Sequence, residues 1–436
     1  MKWQTSTSDQ VANQAHQVGL ENLAEQLKAI NPKTCKKTGS YRAACAIIIP
    51  TIPGLAAVLS IFAYVVTSSL LNQHPWIQVI AVGSGSLLAL FTWLLVAAIW
   101  RRFTTVDRAN MSSYGYLLNC LYQLLPKLMQ VEDALQHPSQ AAQNACVNSK
   151  KEALLLYQSI IEELKREKNP AWMAGTGYIN VWRCMHYVQE ACIEFEPEED
   201  VLRDALHDEL CIQGSTIKNS KELLQKLRLA VTTLNQSGAK YLNEPANENK
   251  DITSQHSEPA QAKAVIRQVR HELQQFRDDR WESLVRTRTE MLKMTALTGL
   301  FVYFLCEFTI LIFPSDLPLI ETIAILFLVG AIAGLFSRLY NQSKTDASID
   351  DYQLTFARLM ATPLYSGLAA LGGVFIVQKI GLLGNSTANF DLTTSNILIA
   401  ATFGLTPILF MNAIQKEAEQ YKKDLKSTEA PGGDKI

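Results

Sequence analysis

MTALTGLFVYFLCEFTILIF, residues 294–313, is a run of twenty residues with one charged side chain, Glu307. A helix of about 20 apolar residues crosses a bilayer core of roughly 30 Å and satisfies its own backbone hydrogen bonds there. Directly upstream, residues 262–293 are rich in charge, and Ile266, Val269, Leu273 and Phe276 fall at heptad spacing before the phase slips at Trp281, Leu284 and Val285. The pattern predicts one continuous helix of about 50 residues that enters the membrane as a stalk. Heptads that merely pack inside a domain would leave the same pattern.

Five further apolar segments are long enough to span: about Ala43–Leu71, Trp76–Trp100, Leu319–Leu335, Leu359–Ile380 and Ile397–Ile414. Short turns at 72–75 and 314–318 join the first pair and the third and fourth segments into hairpins. The expected fold is therefore all-α: a polytopic membrane protein with six transmembrane helices and a large helical cytosolic insert between the second and third. Its parts are an N-terminal segment 1–42, a hairpin 43–100, the insert 101–293, a four-helix region 294–414 and a tail 415–436. Within the insert, a linker at about 236–261 rich in Asn, Glu, Ser and Pro precedes the stalk, about 262–293.

Positive residues resist translocation, so their distribution orients the chain. Lys36, Lys37, Arg42, Arg101, Arg102, Arg108, Arg286, Arg288, Lys293, Arg338, Lys344, Arg358, Lys416, Lys422 and Lys423 flank the spans on one side, against Lys379 alone on the other. Both termini and the insert are expected in the cytosol, at the plasma membrane, or the inner membrane of a bacterium. The first forty residues contain no signal-peptide core, so the first span is expected to act as an uncleaved anchor. The eight cysteines show no paired spacing, and none falls in an external loop. A reducing compartment accounts for them.

Mean hydropathy of +0.04 averages over this segregation, and a net charge of -1 argues against a nucleic-acid partner. Phosphate loops, zinc-protease, hydrolase, kinase, EF-hand and CxxC signatures are absent, so no catalytic residue, cofactor or metal is expected. His207 and Cys211 share a helix face, and Cys184 and His186 lie close in sequence, but ordinary buried cysteines and surface histidines explain them.

Four groups of residues carry candidate function. Glu307 stands well inside a span, where an ionised carboxylate costs at least a few kcal/mol unless paired, protonated or wet. Gly330 with Gly334, and Gly83 with Gly85, present small faces for close helix packing, within the chain or between copies. Trp172, Gly175, Gly177, Tyr178 and Trp182 could bound a cytosolic pocket, although a tight turn followed by core aromatics explains them as well. Asp278 and Arg280 on the stalk carry charges opposite to those in the loop of Asp350 and Asp351, and together would form a collar at the cytosolic face. The expected function is non-enzymatic: a sensor, effector or scaffold whose insert binds a cytosolic protein or small ligand. The alternative is an ion channel or transporter, including a homo-oligomeric one, with Glu307 in its pathway.

Overall fold

The computed structural model describes residues 49–70, 76–103, 111–129, 140–165, 176–243, 257–312, 317–342, 354–379, 392–406 and 408–429, together with Glu25. Among them, all regular structure is helical. Contacts divide the described residues into two units. One is polar and lies within Met111–Glu282 and Tyr421–Ile436; the other is apolar and lies within Thr38–Asn110 and Ser283–Gln420.

The apolar unit holds α1 (Ile52–Leu70), entered through a 3-10 turn at Ile49–Thr51, and α2 (Ile77–Phe103). Pro50 and Pro53 are expected from sequence to kink the first span. They instead occupy the entry turn and the first turn of α1, where the N–H that proline lacks has no helical acceptor to lose. Among the described residues, five stretches are long and apolar enough to cross a membrane: Ile49–Ser68, Ile77–Ile99, one within Glu258–Leu311, Pro318–Tyr340 and Ala357–Lys379. Phe301, Phe304, Phe308, Leu87 and Phe91 are all more than half exposed, a surface that suits hydrocarbon better than water.

The sixth expected span, Ile397–Ile414, is not one helix. The chain forms an 11-residue helix, Thr394–Gly404, leaves helical geometry at Leu405 and Thr406, and resumes at Ile408–Ser427. The residue that follows Thr406 in sequence is Pro407, and a proline both lacks an N–H and disfavours helical backbone in its predecessor. The other apolar helices are α9 (Leu317–Gln342) and α10 (Leu354–Lys379), which pack on each other and on α11 (Thr394–Gly404).

The polar unit is built from α3 (Met111–Met129), α4 (Gln140–Lys165), α5 (Thr176–Cys192), α6 (Glu198–Gln213) and α7 (Ser220–Asn243). The stripes at Tyr157, Ile161 and Leu164 and at Val181, Met185 and Cys192 are buried, as their helical spacing implies. A second core joins Val201, Ala205 and Ile212 of α6 to Leu223, Leu227 and Leu234 of α7, and to Ala262, Ile266, Val269 and Leu273. That last set belongs to α8 (Ser257–Ile312), a single helix of 56 residues that contributes to both units.

The α7 helix continues through Gly238 to Asn243, so the first part of the expected linker is helical; residues 244–256 lie outside the described residues. On α7, Glu222 pairs with Lys226 one turn on, at 2.8 Å. The last helix, α12 (Ile408–Ser427), brings Asp424, Leu425 and Thr428 into the polar unit, where all three are buried.

Candidate functional site in the apolar unit

Tyr303 and Glu307 lie one turn apart on α8 and therefore share a face. Toward that face come Ser60 of α1 and Ser86 of α2. Ser86 Oγ and Tyr303 Oη are 2.8 Å apart and hydrogen bonded, and the Ser86 hydroxyl also donates to its own helix at Val82 O, 2.9 Å. The Ser60 and Tyr303 hydroxyls adjoin the Glu307 carboxyl. Glu307 is only 7% exposed and Ser60 fully buried, yet neither carboxyl oxygen nor Ser60 Oγ completes a hydrogen bond. An apolar cluster of Tyr64, Ile77, Ala81 and Ile310 lies along the same helices and takes in Ile320 of α9.

Close approach of α1 and α2 positions Ser60. A Cβ added to Gly85 would collide with the Ser60 backbone, whereas one added to Gly83 would meet nothing within 4 Å. Of the two glycines singled out in α2, only Gly85 is thus required by packing. Gly299 of α8 similarly faces Gly54 of α1, with 3.1 Å between its would-be Cβ and the Gly54 nitrogen. Gly330 and Gly334 pack within the chain: the first against Ala370 and the Ser366 carbonyl, the second against the Ser366 side chain and the Gly404 carbonyl.

The other candidates divide. Trp172 and Gly175 lie outside the described residues, Gly177 and Tyr178 belong to the first turn of α5, and Trp182 is half-buried with its ring tilted against His186 at 5.9 Å. Asp278 is paired with His186, at 3.1 Å. Arg280 reaches Asp424 of α12, Nε to Oδ2 3.0 Å, and lies over the rings of Phe276 and Tyr421. Asp350 and Asp351 lie outside the described residues. His207 Nε2 stands 3.7 Å from Cys211 Sγ, and among the described residues no three His, Cys, Asp or Glu side chains gather as a metal site.

Sequence reading passes over two polar arrays of the polar unit. Helix α5, with the turn that follows it, and the polar half of α8 run antiparallel, joined by Arg183–Glu282, His186–Asp278, Gln189–Gln274, His271–Glu190 and Arg267–Glu194. Burial pushes the Glu190 carboxyl above the usual range, and His271 beside it opposes the rise. Deeper, Arg270 donates from Nε to Asp208 at 2.8 Å, while Lys127 bridges Glu196 and Asp204 at 3.0 and 3.1 Å. The heptad pattern of α8 conceals this array, because Arg270 and Gln274 sit between its apolar positions. Compared with known proteins, the chain matches no family model, no curated protein and no solved structure.

Proposed function

We propose that the chain is an integral membrane protein of sensor, effector or scaffold type, in which a helical domain outside the bilayer communicates with the apolar bundle through α8. The carrying observation is that one unbroken helix supplies Ile266, Val269 and Leu273 to the polar core and Ile310 to the apolar one. A helix transmits displacement along its axis because its backbone hydrogen bonds close locally. The asymmetry of Lys and Arg supports a cytosolic polar domain with cytosolic termini, as in a plasma-membrane or bacterial inner-membrane protein. The proposed partners are lipid, a cytosolic protein or small ligand, and a second copy of the chain.

The test is hydrogen exchange on the chain in nanodiscs. Arg270→Met, which perturbs the polar unit, is expected to raise exchange in α1 and α9. Adding Leu284→Pro, which interrupts α8 between the units, is expected to abolish that response. Unchanged exchange in the bundle of Arg270→Met would overturn the reading.

A second reading, an ion channel or transporter, is favoured by the buried Glu307 carboxyl beside the Ser60 and Tyr303 hydroxyls. It predicts ion flux in sealed liposomes that Glu307→Gln alters. No flux from folded native protein would remove it.

A further inference from the structure

We propose that Glu307, Ser60, Tyr303 and Ser86 form a binding site for a small monovalent cation, a proton or a sodium ion. The inference deepens the second reading by naming the ligand; it rests on that reading's placement of Glu307 inside the membrane, but it does not require that the ion crosses. Among the described residues, the side chains that interact with Glu307 are the Ser60 and Tyr303 hydroxyls and the neighbouring Cys306 thiol, none of them a cation. Ser86 of α2 stands behind Tyr303, and the apolar cluster of Tyr64, Ile310 and, from α9, Ile320 adjoins these helices, with Glu321 next to Ile320 exposed. A carboxyl in such surroundings lacks a protein counter-charge, and a bound proton or sodium ion supplies it.

The four oxygens nearest to hand are of the hard type that sodium prefers, namely two from the carboxyl and one each from Ser60 and Tyr303. The Ser86 hydroxyl, bonded to Tyr303 Oη at 2.8 Å, orients the phenol. Ser60 Oγ and both carboxyl oxygens are buried and out of regular hydrogen-bond geometry, although the Ser60 and Tyr303 hydroxyls stand near enough to interact with the carboxyl. Buried oxygens grouped in this way are costly unless a proton or an ion satisfies them.

The probe is dicyclohexylcarbodiimide, an apolar reagent that reaches carboxyls within a bilayer. The acid O–H adds across one C=N bond to give an O-acylisourea, which rearranges to a stable N-acylurea without losing any atom. The intact chain in nanodiscs is labelled from roughly pH 5 to 9, the range over which buried carboxyls titrate. It is labelled in sodium chloride or in choline chloride, and the adduct is read by peptide mass spectrometry. An adduct at Glu307 is expected that falls with rising pH and is absent from Glu307→Gln.

Sodium protection without choline protection identifies a sodium site. Loss with pH alone identifies a proton site. In the sodium case, Ser60→Ala and Tyr303→Phe each remove an oxygen from the ion and are expected to raise the half-protecting concentration about tenfold, a loss of the size of one hydrogen bond to a charged group. In the proton case, they are expected to move the pH of half-labelling. No adduct in folded protein, or one indifferent to both pH and sodium, overturns the proposal. An adduct without flux would keep the site and remove the pathway, whereas Glu307-dependent flux without an adduct would do the reverse.

Discussion

Gly83 and Gly85 sit two residues apart in α2, and a Cβ has open space at the first and the Ser60 backbone at the second. Gly83→Ala should therefore leave stability unchanged or raise it by up to about 1 kcal/mol, the helix-interior cost of glycine. Gly85→Ala should lower it by about 1–3 kcal/mol through overpacking. Thermal unfolding of the two variants in the same detergent checks the contrast, and equal melting temperatures would refute the close approach. In the polar unit, burial raises the Asp208 carboxyl above the usual range and Arg270 opposes that rise. Arg270→Met should cost about 3–5 kcal/mol at neutral pH, because it strands a buried charge. With the folded-state pKa raised, the folded chain binds more protons than the unfolded one, so stability falls as pH climbs above the ordinary carboxylate range. The cost of the substitution should accordingly shrink on acidification, and a pH-independent cost would show that Asp208 is not the stranded group.

Elements separated by about 200 residues in sequence meet in the polar unit. Asp424 of α12 accepts from Thr216 Oγ1 at 2.9 Å and pairs with Arg280, and Gly214 allows Ser427 O to approach to 3.1 Å of where a Cβ would stand. Gly214 thus ends α6 with ordinary right-handed backbone, φ -91°, and its absence of a side chain serves this contact. Truncation after Gln420 should remove the anchor and lower the melting temperature of the polar unit, followed by the fluorescence of Trp182 and Trp281. An unchanged transition would mean that the end of α12 adds nothing to that unit. The residues 415–436 read in sequence as a plain tail, since Lys422, Lys423 and Lys426 give it a solvated look. Leu425 and Thr428 are nevertheless buried. Local hydropathy does not register a face only two or three residues wide, and the partner face on Thr216 and Arg280 is remote in sequence.

Among the described residues, the all-helical class, the five helices long and apolar enough to cross a membrane and the unbroken α8 are legible from residue order alone. The reason is that lipid acts on each segment separately: a run such as 294–313 must satisfy its backbone internally whatever its neighbours do. The periodic stripes at Tyr157, Ile161 and Leu164, and at Ile266, Val269 and Leu273, are local in the same sense, because burial of one helix face needs only its own spacing. Glu307 stands out for the same reason, as one charge in an apolar run. Its surroundings do not: Ser60 and Ser86 are unremarkable among the many serines of apolar helices, which bond their own backbone. Only the approach of α1 and α2 at Gly85, and of α1 and α8 at Gly299, brings those hydroxyls to the carboxyl. Pairings such as Arg270 with Asp208, and Arg280 with Asp424, are likewise properties of two helices at once. A single segment's pattern records which face is turned inward, and tertiary packing alone selects the partner that face meets.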